Sequence, residues 1–212
     1  MMKKLIVFFL LTLLSVGSIA QEIAGTVQAQ TAVSANGKAF LLAYFDKTAN
    51  ALKHSVAGLS AAQLQFKPAP ERWSISQCLE HIVMTEKALF DFAKNGMEAA
   101  PNPEKRKEVK MTDEDIINGI NDRSHKATAS KELTGTGKYN KAEEALADLE
   151  QGRKTALAYI NSKNIEDLRN HISNSPFGPV DGFHSFLFLA GHTSRHTAQI
   201  EEVMADANFP KK

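Results

Sequence analysis

The chain has 212 residues, 43% of them hydrophobic, and its 25 Lys and Arg nearly balance 24 Asp and Glu at a formal net charge of +1. That balance gives no field to attract nucleic acid or an anionic membrane, so neither is an expected partner. Cys78 is the single cysteine, which excludes an internal disulfide and leaves stability to the core.

Residues 1–20 read as an export signal: Lys3 and Lys4, the apolar run Leu5 to Leu14, then Ser18-Ile19-Ala20 as a small-x-small cleavage pattern. The run is shorter than the roughly 20 residues that span a bilayer, so no stable membrane span is expected after cleavage. The expected product is exported, periplasmic or secreted, with length enough for one domain. Residues 21–33 are small and polar and read as a flexible tether, and the domain is expected over 34–208.

From Lys38, Leu41, Phe45, Leu52, Val56 and Leu59 recur at helical spacing until Gly58 stops the first long helix. Ser60 to Gln63 has capping-box spacing and opens a short turn before the extended segment at Pro68 and Pro70. Ser74 and Gln77 form a second capping box, with Trp73 facing Cys78 as a hydrophobic staple. The second long helix therefore starts at Ile75 and is expected to end near Asn95-Gly96.

Residues 97–111 carry Pro101, Pro103 and a mixed-charge run and read as a solvated loop. Thr112, followed by Asp113, Glu114 and Asp115, marks a minor helix, and Gly135 and Gly137 break the chain beyond it. Asn140 with Glu143 is expected to cap a third long helix whose inner stripe is Ala142, Leu146, Leu149, Ala156 and Ile160. "SNSPFGP" is a turn, and a fourth helix is expected from about Val180 to Met204. Four long amphipathic helices without a convincing alternating segment predict an all-α four-helix bundle.

The last helix carries His192 and His196 on its inward stripe with Phe188, Leu189, Gln199 and Val203. Residues four apart lie about 40° apart and about 6 Å along the axis, so both imidazoles can reach one point. Taken alone the spacing also suits a solvated pair or two core histidines bonded to backbone. Thr193 stands where a zinc protease of the H-E-x-x-H type has its glutamate, and no Glu-x-x-His pair supports a ferritin-like two-metal site. A third imidazole has to come from another helix, and His81, in the row of Cys78, Thr85, Ala88 and Phe92, is best placed. His54, His125 and His171 lie in polar surroundings, and His184 points about 80° away from His192, so these four read as surface or structural.

The segments "RWSISQCLEHIVMTE" and "AGHTSRHTAQIEEV", in that order and separation, resemble the two signature segments of the DinB/YfiT-like superfamily, and the likeness extends from about Asn36 to Met204. The resemblance implies a four-helix bundle holding one divalent metal on three histidines, here His81, His192 and His196. It assigns no activity. Imidazole ligands suit zinc or nickel first, with iron or copper as alternatives, and three of them leave an open coordination position.

Gln199 and Thr85, each near a ligand, are candidates to orient a ring or a bound water, and Arg195 either stabilises an anionic substrate or pairs with a carboxylate such as Glu201. Cys78 reads as a small buried apolar residue, with a role as fourth ligand the alternative. "GTGKY" lacks the spacing of a phosphate loop. Three functions are compatible with these residues: a metal-dependent hydrolase of a small molecule, with Asp46 or Glu80 as carboxylates that folding could bring near; a thiol-dependent transferase or isomerase, which only the family resemblance implies; or a non-enzymatic metal-binding bundle, dimeric through an exposed helix face.

Overall fold

The computed structural model describes residues 37–124 and 128–211; the expected signal segment, the tether and His125 lie outside the described residues. Residues 37–56 form α1, and Gly58, with φ +66°, ends that turn in a left-handed conformation that only glycine adopts cheaply. The Ser60–Gln63 capping box closes and starts a short helix, α2 (Ala61–Gln65). The Ser74–Gln77 box likewise starts α3 (Ile75–Glu98), which runs past Asn95-Gly96 to a cap at Ala99. Each box satisfies backbone groups that a bare helix end leaves open, worth about 1 kcal/mol.

A 3-10 turn over Pro103–Glu108 interrupts the segment expected to be a plain loop. The minor helix is α4 (Asp113–Asn121), with Thr112 and Asp115 in a further capping box. The third long helix, α5 (Ala142–Asn161), starts from Lys141 with no side-chain cap. Asn140 does not cap it; its side-chain Oδ1 instead accepts from Gln65 Nε2 at 3.2 Å. A short helix, α6 (Ile165–Asn170), leads into an antiparallel hairpin of β1 (Ile172–Ser175) and β2 (Gly178–Asp181), in which Ile172 faces Asp181 and Ser175 faces Gly178.

The hairpin places Val180 in a strand, so the last helix, α7, begins later than expected, at Gly182, and ends at Met204. Asp181 caps it by accepting from the His184 amide at 2.7 Å. Among the described residues no helix is long and apolar enough to cross a membrane.

The long helices α1, α3, α5 and α7 enclose two apolar clusters. One holds Leu41, Phe45, Ala93, Ala156, Ile160, Phe183, Phe186 and Leu187; the other holds Leu52, Val56, Ile75, Leu79, Ile82, Leu149, Ile200 and Val203. Between them lies a polar layer with one residue from each long helix: Thr48, Glu86, Arg153 and Thr193. Arg153 Nε and Nη2 donate to Glu86 Oε1 at 2.9 and 2.6 Å, and its Nη1 donates to Thr48 Oγ1 at 3.0 Å and to the Phe45 carbonyl. Thr193 Oγ1 donates to Glu86 Oε1 at 2.6 Å and accepts from Arg153 Nη2 at 3.0 Å. A buried charge pair survives only when its remaining donors and acceptors are matched, and here every long helix contributes a partner.

Candidate metal centre

His81 on α3 and His192 and His196 on α7 meet beside the polar layer. Ring centroids are 4.5 Å apart for His81–His196, 4.4 Å for His192–His196 and 5.0 Å for His81–His192. One nitrogen from each ring lies within 4.8 Å of the others. The close approach of α7 to α1 and α4 needs Gly191, where a Cβ would come within 2.6 Å of Ile120 Cγ2 and 3.3 Å of the Tyr44 hydroxyl.

Hydrogen bonds decide which nitrogens point inward. The Leu133 carbonyl can only accept, so His81 Nδ1 carries the proton and donates to it at 2.7 Å, which leaves Nε2 as a lone-pair donor. Thr85 Oγ1 is 3.3 Å from the same Nδ1. His196 repeats this arrangement: Nδ1 donates to Gln199 Oε1 at 2.8 Å, and Nε2 faces His192 Nε2 at 3.1 Å. Two bare imidazole nitrogens at that distance repel unless a proton or a cation lies between them. Tetrahedral ligation with metal–nitrogen bonds of about 2.0–2.1 Å spaces nitrogens about 3.3 Å apart, so the pair fits a shared cation.

Burial also selects the ligating form. His81, His192 and His196 are only 5%, 8% and 8% exposed. Burial pushes the His192 imidazole well below its usual range and that of His196 down to about 3, with the neighbouring histidines adding to both shifts. Burial lowers His81 as well, against the opposing Leu133 bond. All three are neutral near pH 7, as metal ligation requires.

The Leu133 carbonyl is offered by a strap, residues 131–139, lying along α3. Glu80, beside His81, holds this strap: its Oε2 accepts from the amides of Thr136 at 2.6 Å, Gly137 at 2.8 Å and Lys138 at 3.3 Å. Gln77 Nε2 donates to the Gly135 carbonyl at 3.0 Å, and Ser76 Oγ donates to the Tyr139 carbonyl at 2.7 Å. A Cβ at Gly135 would collide with the Gln77 carbonyl, so the strap touches α3 backbone to backbone. Glu80 is thereby committed to the strap and does not turn toward the histidines; Asp46 is exposed.

Trp73 packs as more than a staple, edge-on to His81 at 4.9 Å and nearly parallel to His196 at 6.3 Å, and so covers one side of the site. Arg195 Nη1 donates to the carbonyls of Ile120, at 3.1 Å, and Asp122, where α4 ends. Cys78 is fully buried, its thiol pushed up to about 12 by burial, and it stands outside the histidine group. Ala88 and Phe92, expected in the inner row with His81, are exposed.

The other described histidines, His54, His171 and His184, are apart from this site. His54 and His171 each bond a carbonyl one turn back, at 2.7 Å. His184 is buried rather than on the surface, with Nε2 2.9 Å from Asp113 Oδ1; Arg169 bridges Asp113 and Asp181 at 2.7 and 3.0 Å in the same cluster.

The model of the DinB superfamily matches residues 44–200, which include all three histidines and the α3 and α7 segments that carry them. The chain belongs to the DinB superfamily. It is similar to the uncharacterized protein YuaE of Bacillus subtilis, 26% identical over 150 residues, spanning 71% of this chain and 88% of YuaE. Among solved structures it resembles YfiT from Bacillus subtilis, described as a probable metal-dependent hydrolase with an unusual four-helix bundle topology. That match has a TM-score of 0.56 at 14% identity and covers 82% of this chain and 89% of YfiT, a likeness of DinB-type fold.

Proposed function

We propose that this DinB-superfamily protein is a metal-dependent hydrolase of a small molecule, binding one divalent cation, zinc or nickel first, through Nε2 of His81, His192 and His196. The observation carrying this reading is the pair of outward Nδ1–H bonds, to Leu133 and Gln199, that turn two neutral lone pairs toward a third imidazole. A cation held there would polarise a substrate oxygen and lower the pKa of water. Leu133, Thr85 and Gln199 keep the rings in one tautomer and orientation, and Trp73 shields one flank.

Both acidic residues flanking this part of α3 are engaged elsewhere, Glu80 by strap amides and Glu86 by Arg153. Neither of these two carboxylates is turned to the histidines as a base, and in this reading the chemistry depends on the cation. The description of YfiT supports the same activity by analogy. The signal-like pattern of residues 1–20 supports an activity outside the cytoplasm as part of the same proposal.

One observation favours a second reading, metal storage or sensing without catalysis: each imidazole is more than nine-tenths covered. Hydrolysis assays separate the two. Metal-loaded protein and its His196→Ala variant are compared on ester, amide and lactam panels. Turnover lost in the variant supports the hydrolase; metal binding with no turnover on any panel supports the second reading.

A further inference from the structure

Charge around the three histidines is one-sided. The ligands are neutral, and Glu80 and Glu86 are spent on the strap and on Arg153. A divalent cation held here would have neither of its charges compensated by these three ligands.

The rim of the site is also positive. Arg195 and Glu202, seven apart on α7, form a row about 60° around the helix from the row of His192 and Gln199. Arg123, from the segment after α4, reaches both Glu202 oxygens through Nε at 2.7 Å and Nη2 at 2.8 Å. Arg72 adjoins Trp73, the ring packed on His81 and His196, and its Nη2 is 3.6 Å from Glu202 Oε2. Among the described residues, three guanidiniums thus gather beside Glu202 and Asp122.

We infer that the substrate carries an oxyanion, a carboxylate or a phosphate, bound between the cation on the three histidines and this arginine rim, with Arg72 as the recognition residue. Arg72 is the member most able to turn to a ligand, because its side chain is 41% exposed and its ion pair with Glu202 is long. Guanidinium matches carboxylate and phosphate oxygens through paired hydrogen bonds, which a neutral amide cannot reproduce. This inference rests on the metal reading above and adds the class of ligand to it.

The test uses the full chain loaded with cobalt, whose visible spectrum reports on the ligand sphere, titrated with succinate, inorganic phosphate and neutral succinamide. Wild type is expected to bind at least one anion about tenfold more tightly than succinamide, and Arg72→Gln to lose about tenfold of that anion affinity with cobalt affinity unchanged. Succinate without phosphate identifies a carboxylate ligand, and the converse a phosphate. Lys87→Gln, which removes a positive charge from an exposed α3 pair, is expected to bind the anion as wild type does.

Equal binding of succinamide and succinate with no response to phosphate would overturn the inference and leave the metal reading intact. So would an Arg72→Gln variant with unchanged anion affinity, or a Lys87→Gln loss equal to that of Arg72→Gln. A wild-type chain that takes up no cobalt removes both.

Discussion

The Leu133 carbonyl accepts a 2.7 Å hydrogen bond from His81 Nδ1 across 52 residues of chain, and this bond aims His81 Nε2 at the other two imidazoles. The orientation of one ligand is therefore set by a backbone atom of the strap, and the strap is set by Glu80.

Glu80→Gln is expected to loosen the strap, because an amide accepts more weakly from the Thr136, Gly137 and Lys138 backbone than a carboxylate does. Metal affinity should fall about tenfold, within the range seen when groups that orient ligands are removed. Chelator competition on the folded variant measures this. Asp113→Asn, at the His184–Arg169 cluster, serves as a stability control and should leave metal affinity unchanged.

Acid should destabilise the metal-free protein in a window set by the histidines. In the unfolded chain their imidazoles take up protons near 6.5, whereas folded His196 does so only at about 3 and His192 also resists. Between those values the unfolded state holds more protons, so stability falls as pH drops from about 6.5 toward 3. Asp113 adds a later loss. Burial raises it, but bonds from His184 and Arg169 outweigh burial and hold it at about 2, so its contribution disappears as pH falls from 3.8 through 2. Urea midpoints at pH 7, 5.5 and 4.5 should decline steadily; a constant midpoint down to pH 4.5 contradicts the assigned histidine burial.

Arg153→Leu leaves Glu86 buried without its partner and should cost about 3–5 kcal/mol. For a domain of this size the melting temperature should drop on the order of 10 °C. Adding Glu86→Gln should recover part of the loss, since the stranded charge is then gone. Thermal unfolding of the two variants makes the comparison, and an Arg153→Leu chain as stable as wild type would show that the polar layer is not coupled to folding.

Much of this fold is legible because it is written in side-chain periodicity. Leu41, Phe45, Leu52 and Val56, spaced as on one helix face, lie in the core, and the Ser74–Gln77 box starts α3 where its spacing says. The hairpin is hidden by its length: four-residue strands give too few alternations to separate from a turn, and Pro176 reinforces the turn signal. The start of α5 departs from its expected cap because Asn140 finds a tertiary partner, Gln65, in place of a local one.

At the site, His81, His192 and His196 are visible as residue types and spacing, and Thr85 and Gln199 as neighbours one turn away. Leu133 is not, because any residue supplies a carbonyl and only the folded strap brings this one to His81. Arg153 occupies a gap in an apolar stripe that looks ordinary without Glu86 opposite it. His184 looks peripheral by its angle on α7 alone; its burial comes with Asp113 on another element.

Metal content of untagged protein, measured beside the single variants His81→Ala, His192→Ala and His196→Ala, decides whether the three imidazoles share one cation. Wild type should carry close to one equivalent of a divalent transition metal, and each variant should retain its helical spectrum while losing most of that metal. Full metal content in all three variants, or none in wild type after exposure to zinc and nickel, would contradict it.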